Sequence, residues 1–98
     1  MTNEALGLIE VLGLTTALRA ADSALKAADV VLESYEKIIG VGQCISVTLC
    51  LRGEVAAVKA AVEAANTAAG RVGTIVSSRV IPRPHDETEK LPSRFTLV

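Results

Sequence analysis

Hydrophobic positions change their spacing several times along this chain, and each change marks an element. From Cys44 to Leu51 the period is two: Ile45, Val47, Leu49 and Leu51 alternate with Cys44, Ser46, Thr48 and Cys50. Alternation with β-branched residues is the pattern of a strand with one apolar face. Upstream, Val30 to Ile38 reads as a second strand, and Gly40-Val-Gly-Gln lies between the two. The pair predicts a hairpin with a flexible tip, because glycine accepts backbone angles that other residues avoid.

The segments before and after this hairpin resemble each other. Glu4 to Leu12 is apolar enough for a central strand, and Gly13 breaks it. Thr15 or Thr16 can cap a helix running to about Ala28. Its apolar positions are Ala17, Leu18, Ala21, Ala24, Leu25 and Ala28, with Arg19, Asp22, Ser23 and Lys26 facing outward. After the hairpin, Gly53-Glu54 opens a second helix whose buried stripe is Val55, Val58, Ala61, Val62, Ala65 and Ala69, closed by Gly70 and Gly73. Thr74 to Ile81 reads as a fourth strand. Pro82-Arg-Pro-His then forces an extended exit, since each proline fixes φ and disfavours helix in the residue before it. Asp86 is placed to cap a short helical turn through Lys90. The tail from Leu91 to Val98 lacks periodicity and reads as a loosely docked arm.

The order is strand-helix-strand-strand-helix-strand, with an internal echo. Ala17-Leu-Arg-Ala-Ala matches Ala57-Val-Lys-Ala-Ala in residue type at an offset of 40 positions. Two strand-helix-strand halves related by a pseudo-twofold axis predict an α+β, ferredoxin-like βαββαβ sandwich. Its four-stranded antiparallel sheet carries both helices on one face, and a short C-terminal helix follows. One domain over residues 1–90 and a tail over residues 91–98 are expected.

Composition narrows the possibilities. Half of the 98 residues are hydrophobic, but the aromatic residues are only Tyr35 and Phe95, so alanine supplies much of the core. A small-residue core buries little area per residue, which favours life as a subunit over life as a monomer. A formal charge of −1 gives no electrostatic case for nucleic acid or an acidic membrane surface. The polar start, Met-Thr-Asn-Glu, leads into no secretion signal, and no apolar run reaches membrane-spanning length. Cys44 and Cys50 are six positions apart on one strand, about 20 Å at ~3.3 Å per residue, too far for a disulfide within it. Reduced thiols favour the cytoplasm.

Candidate chemistry is sparse. Catalysis needs convergent acid, base or nucleophile groups, whereas the sole histidine, His85, sits in the proline-rich exit segment. Neither cysteine has a Cys or His partner at ligand spacing, so no zinc or redox motif is present and no cofactor or metal is expected. Gly40-Val-Gly-Gln links two strands and lacks the helix of a dinucleotide fingerprint. The same strand order serves RNA-recognition domains, but those stack bases on sheet aromatics, and only Tyr35 is available. An acyl phosphatase loop with arginine and a metallochaperone Cys-x-x-Cys are both missing from Leu12-Gly-Leu-Thr-Thr. Two exposed features remain: Lys26, flanked by alanine and leucine, and Arg83, held between Pro82 and Pro84 on a stiff extended rod. A rigid arginine at a domain edge is suited to an interface.

The sequence resembles the BMC-domain family, the hexamer-forming shell proteins of bacterial microcompartments. The residues that carry the likeness are Glu4-Ala-Leu-Gly-Leu-Ile-Glu, Gly13-Leu-Thr-Thr-Ala-Leu-Arg-Ala-Ala-Asp and Leu25-Lys-Ala-Ala-Asp-Val. They continue with Tyr35-Glu-Lys-Ile, Arg52-Gly-Glu-Val-Ala-Ala-Val-Lys-Ala-Ala and Val80-Ile-Pro-Arg-Pro-His. The resemblance implies a structural protein, not an enzyme: homohexameric rings tiled edge to edge into the shell of a cytoplasmic microcompartment, with a central pore for metabolites. Implied partners are further copies of the chain, other shell proteins and the enclosed enzymes.

By that resemblance Ile39, Gly40, Val41, Gly42 and Gln43 line the pore. Lys26, Pro82, Arg83, Pro84 and His85 lie at the edge between rings. The chain departs from the family between Lys37 and Arg52, where it is longer than members with a short Gly-Ser-Gly turn. A closed ring with an occluded or reshaped pore is expected, since Val41 and Ile45 are apolar; the alternative is loops tilted out of the plane, with a ring that distorts or winds into a non-planar assembly. The alternative function is a discrete ferredoxin-like oligomer that senses a small molecule at its subunit interfaces.

Overall fold

The computed structural model describes residues 4–41 and 44–97. Strand β1 (Ala5–Leu12) leads into helix α1 (Leu14–Ala27), and the hairpin β2 (Val31–Val41) and β3 (Cys44–Gly53) follows. Helix α2 (Val55–Val72), strand β4 (Ile75–Ile81), helix α3 (Asp86–Glu89), a 3₁₀ turn (Pro92–Arg94) and strand β5 (Thr96–Leu97) complete the chain. The strands align as β4-β1-β3-β2-β5, and every pairing is antiparallel. The four long strands in the order β4-β1-β3-β2 give the ferredoxin-like sheet that the sequence predicts, and a two-residue β5 extends it.

Strand β1 is central because it is apolar on both faces: Ala5, Leu6, Ile9 and Val11 are all buried. Its helix-side residues join Val47, Leu49 and Leu51 of β3 against Ala17, Ala20, Ala21 and Ala24 of α1 and Val58, Ala61, Val62, Ala65 and Ala69 of α2. Alanine on both helices lets them approach each other and the sheet closely, which a leucine-lined face would prevent. The stripe expected on α2 is therefore the buried one, with Val55 half-buried at its start.

Helix α1 is rotated relative to the expected stripe. Thr16 and Ala20 are buried, whereas Leu18 is 71% and Leu25 43% exposed. The small side chains take the narrow space between the helices, and the leucines are displaced to the flank. Neither Thr15 nor Thr16 caps the helix. Gly13 occupies that position at φ 87, its carbonyl accepts from Ala17 N at 3.1 Å, and no side chain caps.

Several boundaries also differ from the sequence reading. Helix α2 runs through Gly70 and stops only at Gly73, whose N–H donates to the Ala69 carbonyl at 2.9 Å. β2 continues past Ile38 to Val41, so Gly40 and Val41 belong to a strand. α3 is capped by His85, not Asp86: the His85 Nδ1 accepts from Glu87 N at 3.1 Å. The tail is not a loose arm, because Thr96 pairs with Tyr35 and Leu97 with Ser34 at the β2 edge.

Candidate functional site

The register of the sheet sorts the candidate residues into two groups. Leu12 lies opposite Ser46, and Ile39 opposite Ile45, which places the hairpin tip beside the end of β1. At the other end Ala5 faces Gly53, Leu6 faces Ile81, and Val31 faces Arg52. The eight residues of β1 separate the two ends by about 25 Å at ~3.3 Å per residue. Ile39 and Gly40 therefore stand at one end. Lys26, in the last turn of α1, and Pro82 to His85, which follow β4, stand at the other.

The tip is a continued ribbon. β-branched Ile38, Ile39 and Ile45 favour extended backbone, and the ladder runs on to the Val41–Cys44 pair. A register shift between Ile39 and Val41 accommodates Gly40, which sits at φ 119 with open space where a Cβ would be. A bulge with a left-handed glycine bends a strand without breaking it. Ile39 is 84% exposed because it extends beyond the helices that cover Val47 and Leu49 on the same face. Of the expected pore residues, Gly42 and Gln43 lie outside the described residues.

At the opposite end, Lys26 pairs with Asp22 one helical turn back at 2.9 Å. Both side chains are largely exposed, so this pair adds little to stability. Pro82 and Arg83 are exposed, Pro84 is buried, and His85 is exposed. Burial of Pro84 anchors the rod, and the two prolines limit the backbone on which Arg83 stands. Because the His85 Nδ1 accepts a hydrogen bond, its Nε2 carries the ring proton in the neutral form.

A third group was not singled out from the sequence. Arg52 grips Glu33 with two hydrogen bonds, Nε to Oε1 at 3.0 Å and Nη2 to Oε2 at 2.9 Å. Its Nη1 reaches Glu89 Oε1 at 3.3 Å. Burial opposes the Arg52 charge, but the Glu33 hydrogen bonds and the Glu33 and Glu89 carboxylates outweigh it and hold its pKa above the ordinary range. Beside it, Cys50 donates to Glu33 Oε2 at 3.9 Å. Burial first, and the Glu33 charge second, push the Cys50 thiol from 9.0 up to about 11. The signal available in the sequence was an acid and a base, Glu33 and Arg52, on the two strands of one hairpin. Their contact depends on a register shift between Leu32 and Ser34, which alternation alone does not reveal.

Beside the displaced Leu18 lies an apolar cleft of about 310 Å³ between α1 and the hairpin, walled by Leu14, Leu18, Leu32, Tyr35, Val47 and Leu49. Lys37 stands at its margin toward the hairpin tip.

Comparison with known proteins identifies the family. The BMC domain profile matches residues 5–84. The chain is 50% identical over 91 residues to the bacterial microcompartment shell protein PduA of Citrobacter freundii, covering 93% of this chain and 94% of that one. It is 48% identical over 88 residues to the shell protein EutM of Salmonella typhimurium, covering 90% and 88%. It is 46% identical over 95 residues to the carboxysome shell protein CcmK2 of Synechocystis, covering 94% and 88%. A crystal structure of a microcompartment protein from Desulfitobacterium hafniense DCB has the same fold, with a TM-score of 0.78 at 28% identity. It covers 99% of this chain, which spans 51% of that one. A sandwich of this topology, matched across almost its whole length by shell proteins of several compartments, is a member of the BMC-domain family.

Proposed function

We propose that this chain is a structural tile of a bacterial microcompartment shell. Six copies close head to tail into a ring, and rings pack edge to edge into a sheet that encloses enzymes within the cytoplasm. Copies of the same chain and other shell proteins are its neighbours. Residues 1–90 form the tile, and residues 91–98 are an appended tail. The role is architectural and calls for no cofactor.

The observation that carries this reading is the separation of the two candidate groups to opposite ends of one domain. A wedge in a closed ring needs one end at the axis and the other at the rim. The sheet register supports the hairpin tip, with Ile39, Gly40 and Val41, as the axial end. It supports Lys26 and Pro82 to His85 as the rim. The apolar flank with Leu14 and Leu18 suits burial by the adjacent copy, because such surface is costly to leave in water. Exposed Ile38 and Ile39 make the axial end greasy, so the passage is narrow and dry where a charged metabolite needs polar lining.

Native mass spectrometry with negative-stain microscopy tests the proposal. Hexamers that grow into sheets, tubes or closed shells are expected. A stable monomer, or a discrete oligomer that never extends, would overturn it and favour a soluble sensor instead.

A further inference from the structure

The sheet face opposite α1 and α2 has a small core of its own. Leu6, Ser34 and Cys50 are at most 1% exposed, yet Leu6 and Cys50 take no part in the helix-side cluster. The pairings Leu6–Arg52 and Ser34–Cys50 place all of them on the face that Arg52 occupies. The C-terminal segment reaches Arg52 there through Glu89. The same segment buries Pro84 and Pro92 and adds β5 beside Ser34 and Tyr35.

Among the described residues of this cover, only Pro84 and Pro92 are fully buried, and Phe95 is half-buried. α3 has no fully buried residue, although Thr88 and Glu89 are half-buried, Leu91 is 55% exposed, and β5 contributes two residues of pairing. The Glu87–Lys90 pair at 2.9 Å stays within the cover and ties it to nothing else. The contact from Arg52 to Glu89 differs in kind, since both side chains are largely buried at 14% and 13% exposure. Because Glu33 already orients the guanidinium by two hydrogen bonds, Glu89 meets a preorganised partner. Segments with few apolar anchors open below the free energy of global unfolding.

We infer that residues 82–97 form a latched cover that opens as a unit while the sandwich stays folded, with Arg52 as the latch and Glu89 as the catch. Opening bares Leu6 and the Cys50 thiol and slackens the rod that carries Arg83. Arg52 is a positioning residue: through Glu89 it holds the segment that follows the rod. Only the consequence for ring edges rests on the shell reading, because the opening is a property of the single chain.

Thiol labelling with a maleimide tests this in the full chain carrying Cys44→Ser, so that Cys50 is the remaining cysteine. The parent is expected to label slowly, at a rate set by cover opening and faster than global unfolding permits. Glu89→Gln keeps the Arg52–Glu33 grip but weakens the catch. It is expected to speed labelling about tenfold, leave the urea midpoint of the far-ultraviolet signal unchanged, and speed amide exchange over residues 86–95. Glu87→Gln, which removes only the internal pair, is expected to leave the labelling rate within about twofold. The inference is overturned if Cys50 labels as fast as in unfolded chain. It is equally overturned if labelling follows global unfolding in parent and Glu89→Gln alike. Sheet assembly is scored separately, so loss of the shell reading leaves the thiol result standing.

Discussion

Gly7→Ala adds one methyl group at the tightest contact between the sheet and α2. A Cβ at position 7 would lie 2.8 Å from Val58 Cγ1, 2.9 Å from Val62 Cγ2 and 3.6 Å from Leu51 Cβ. Carbon atoms pack best at about 3.5–4.0 Å, so two contacts are short by more than half an ångström. The obstructing methyls belong to valines one turn apart on one helix, and valine in a helix has essentially one χ1 rotamer. The strain therefore moves the helix as a body. Overpacking of this kind costs about 1–3 kcal/mol, offset by ~0.4–1 kcal/mol from the stiffer unfolded chain. A net loss of about 1–2 kcal/mol is expected, or a Tm lower by roughly 5–15 °C in a domain of this size. Val58→Ala alone leaves a cavity and costs about 1–3 kcal/mol. In the double variant the new methyl enters that cavity, so the combined loss is expected to fall short of the sum by at least ~1 kcal/mol. Urea unfolding followed by circular dichroism, at matched protein concentration because assembly adds to apparent stability, measures all four corners of the cycle. Strict additivity would refute the account of why α2 sits so close to β1.

Lys26→Ala and Arg83→Ala are expected to leave folding within about 0.5 kcal/mol, yet raise the concentration at which rings form sheets, since a small loss repeats along every edge. Unchanged critical concentrations by light scattering would remove these residues from the rim. Gly40→Val is expected to cost about 1–2 kcal/mol from backbone strain alone, because φ is 119 and no atom obstructs the new side chain. An unaltered urea midpoint would count against strain at the bulge. Stability is also expected to fall as pH rises from about 9 to 11. The unfolded chain ionises Cys50 near 9.0 while the folded chain holds it protonated to about 11, so above pH 9 the unfolded state releases the proton first. Cys50→Ala is expected to flatten that decline in urea titrations. An identical pH profile in the variant would place the decline elsewhere.

Where the chain's own periodicity was decisive, the structure followed it. Strict alternation from Cys44 to Leu51 defined β3, and the 3.6-residue stripe from Val58 to Ala69 defined α2, because each pattern buries one face only in one kind of backbone. The order of these elements, with their internal echo, specified the sandwich and hence the antiparallel register that separates hairpin tip from proline rod. Tertiary packing decided what local pattern leaves open. Leu18 and Leu25 fit the helical stripe as well as Thr16 and Ala20 do, but the space between α1 and α2 admits only small side chains. The aperiodic tail carried no local signal. Its last strand, β5, is ordered by partners distant in sequence, Ser34 and Tyr35. The two strands of the hairpin were legible, but the bulge that lets Glu33 meet Arg52 was not, since a register shift costs nothing in the sequence pattern and is chosen by the contacts it permits.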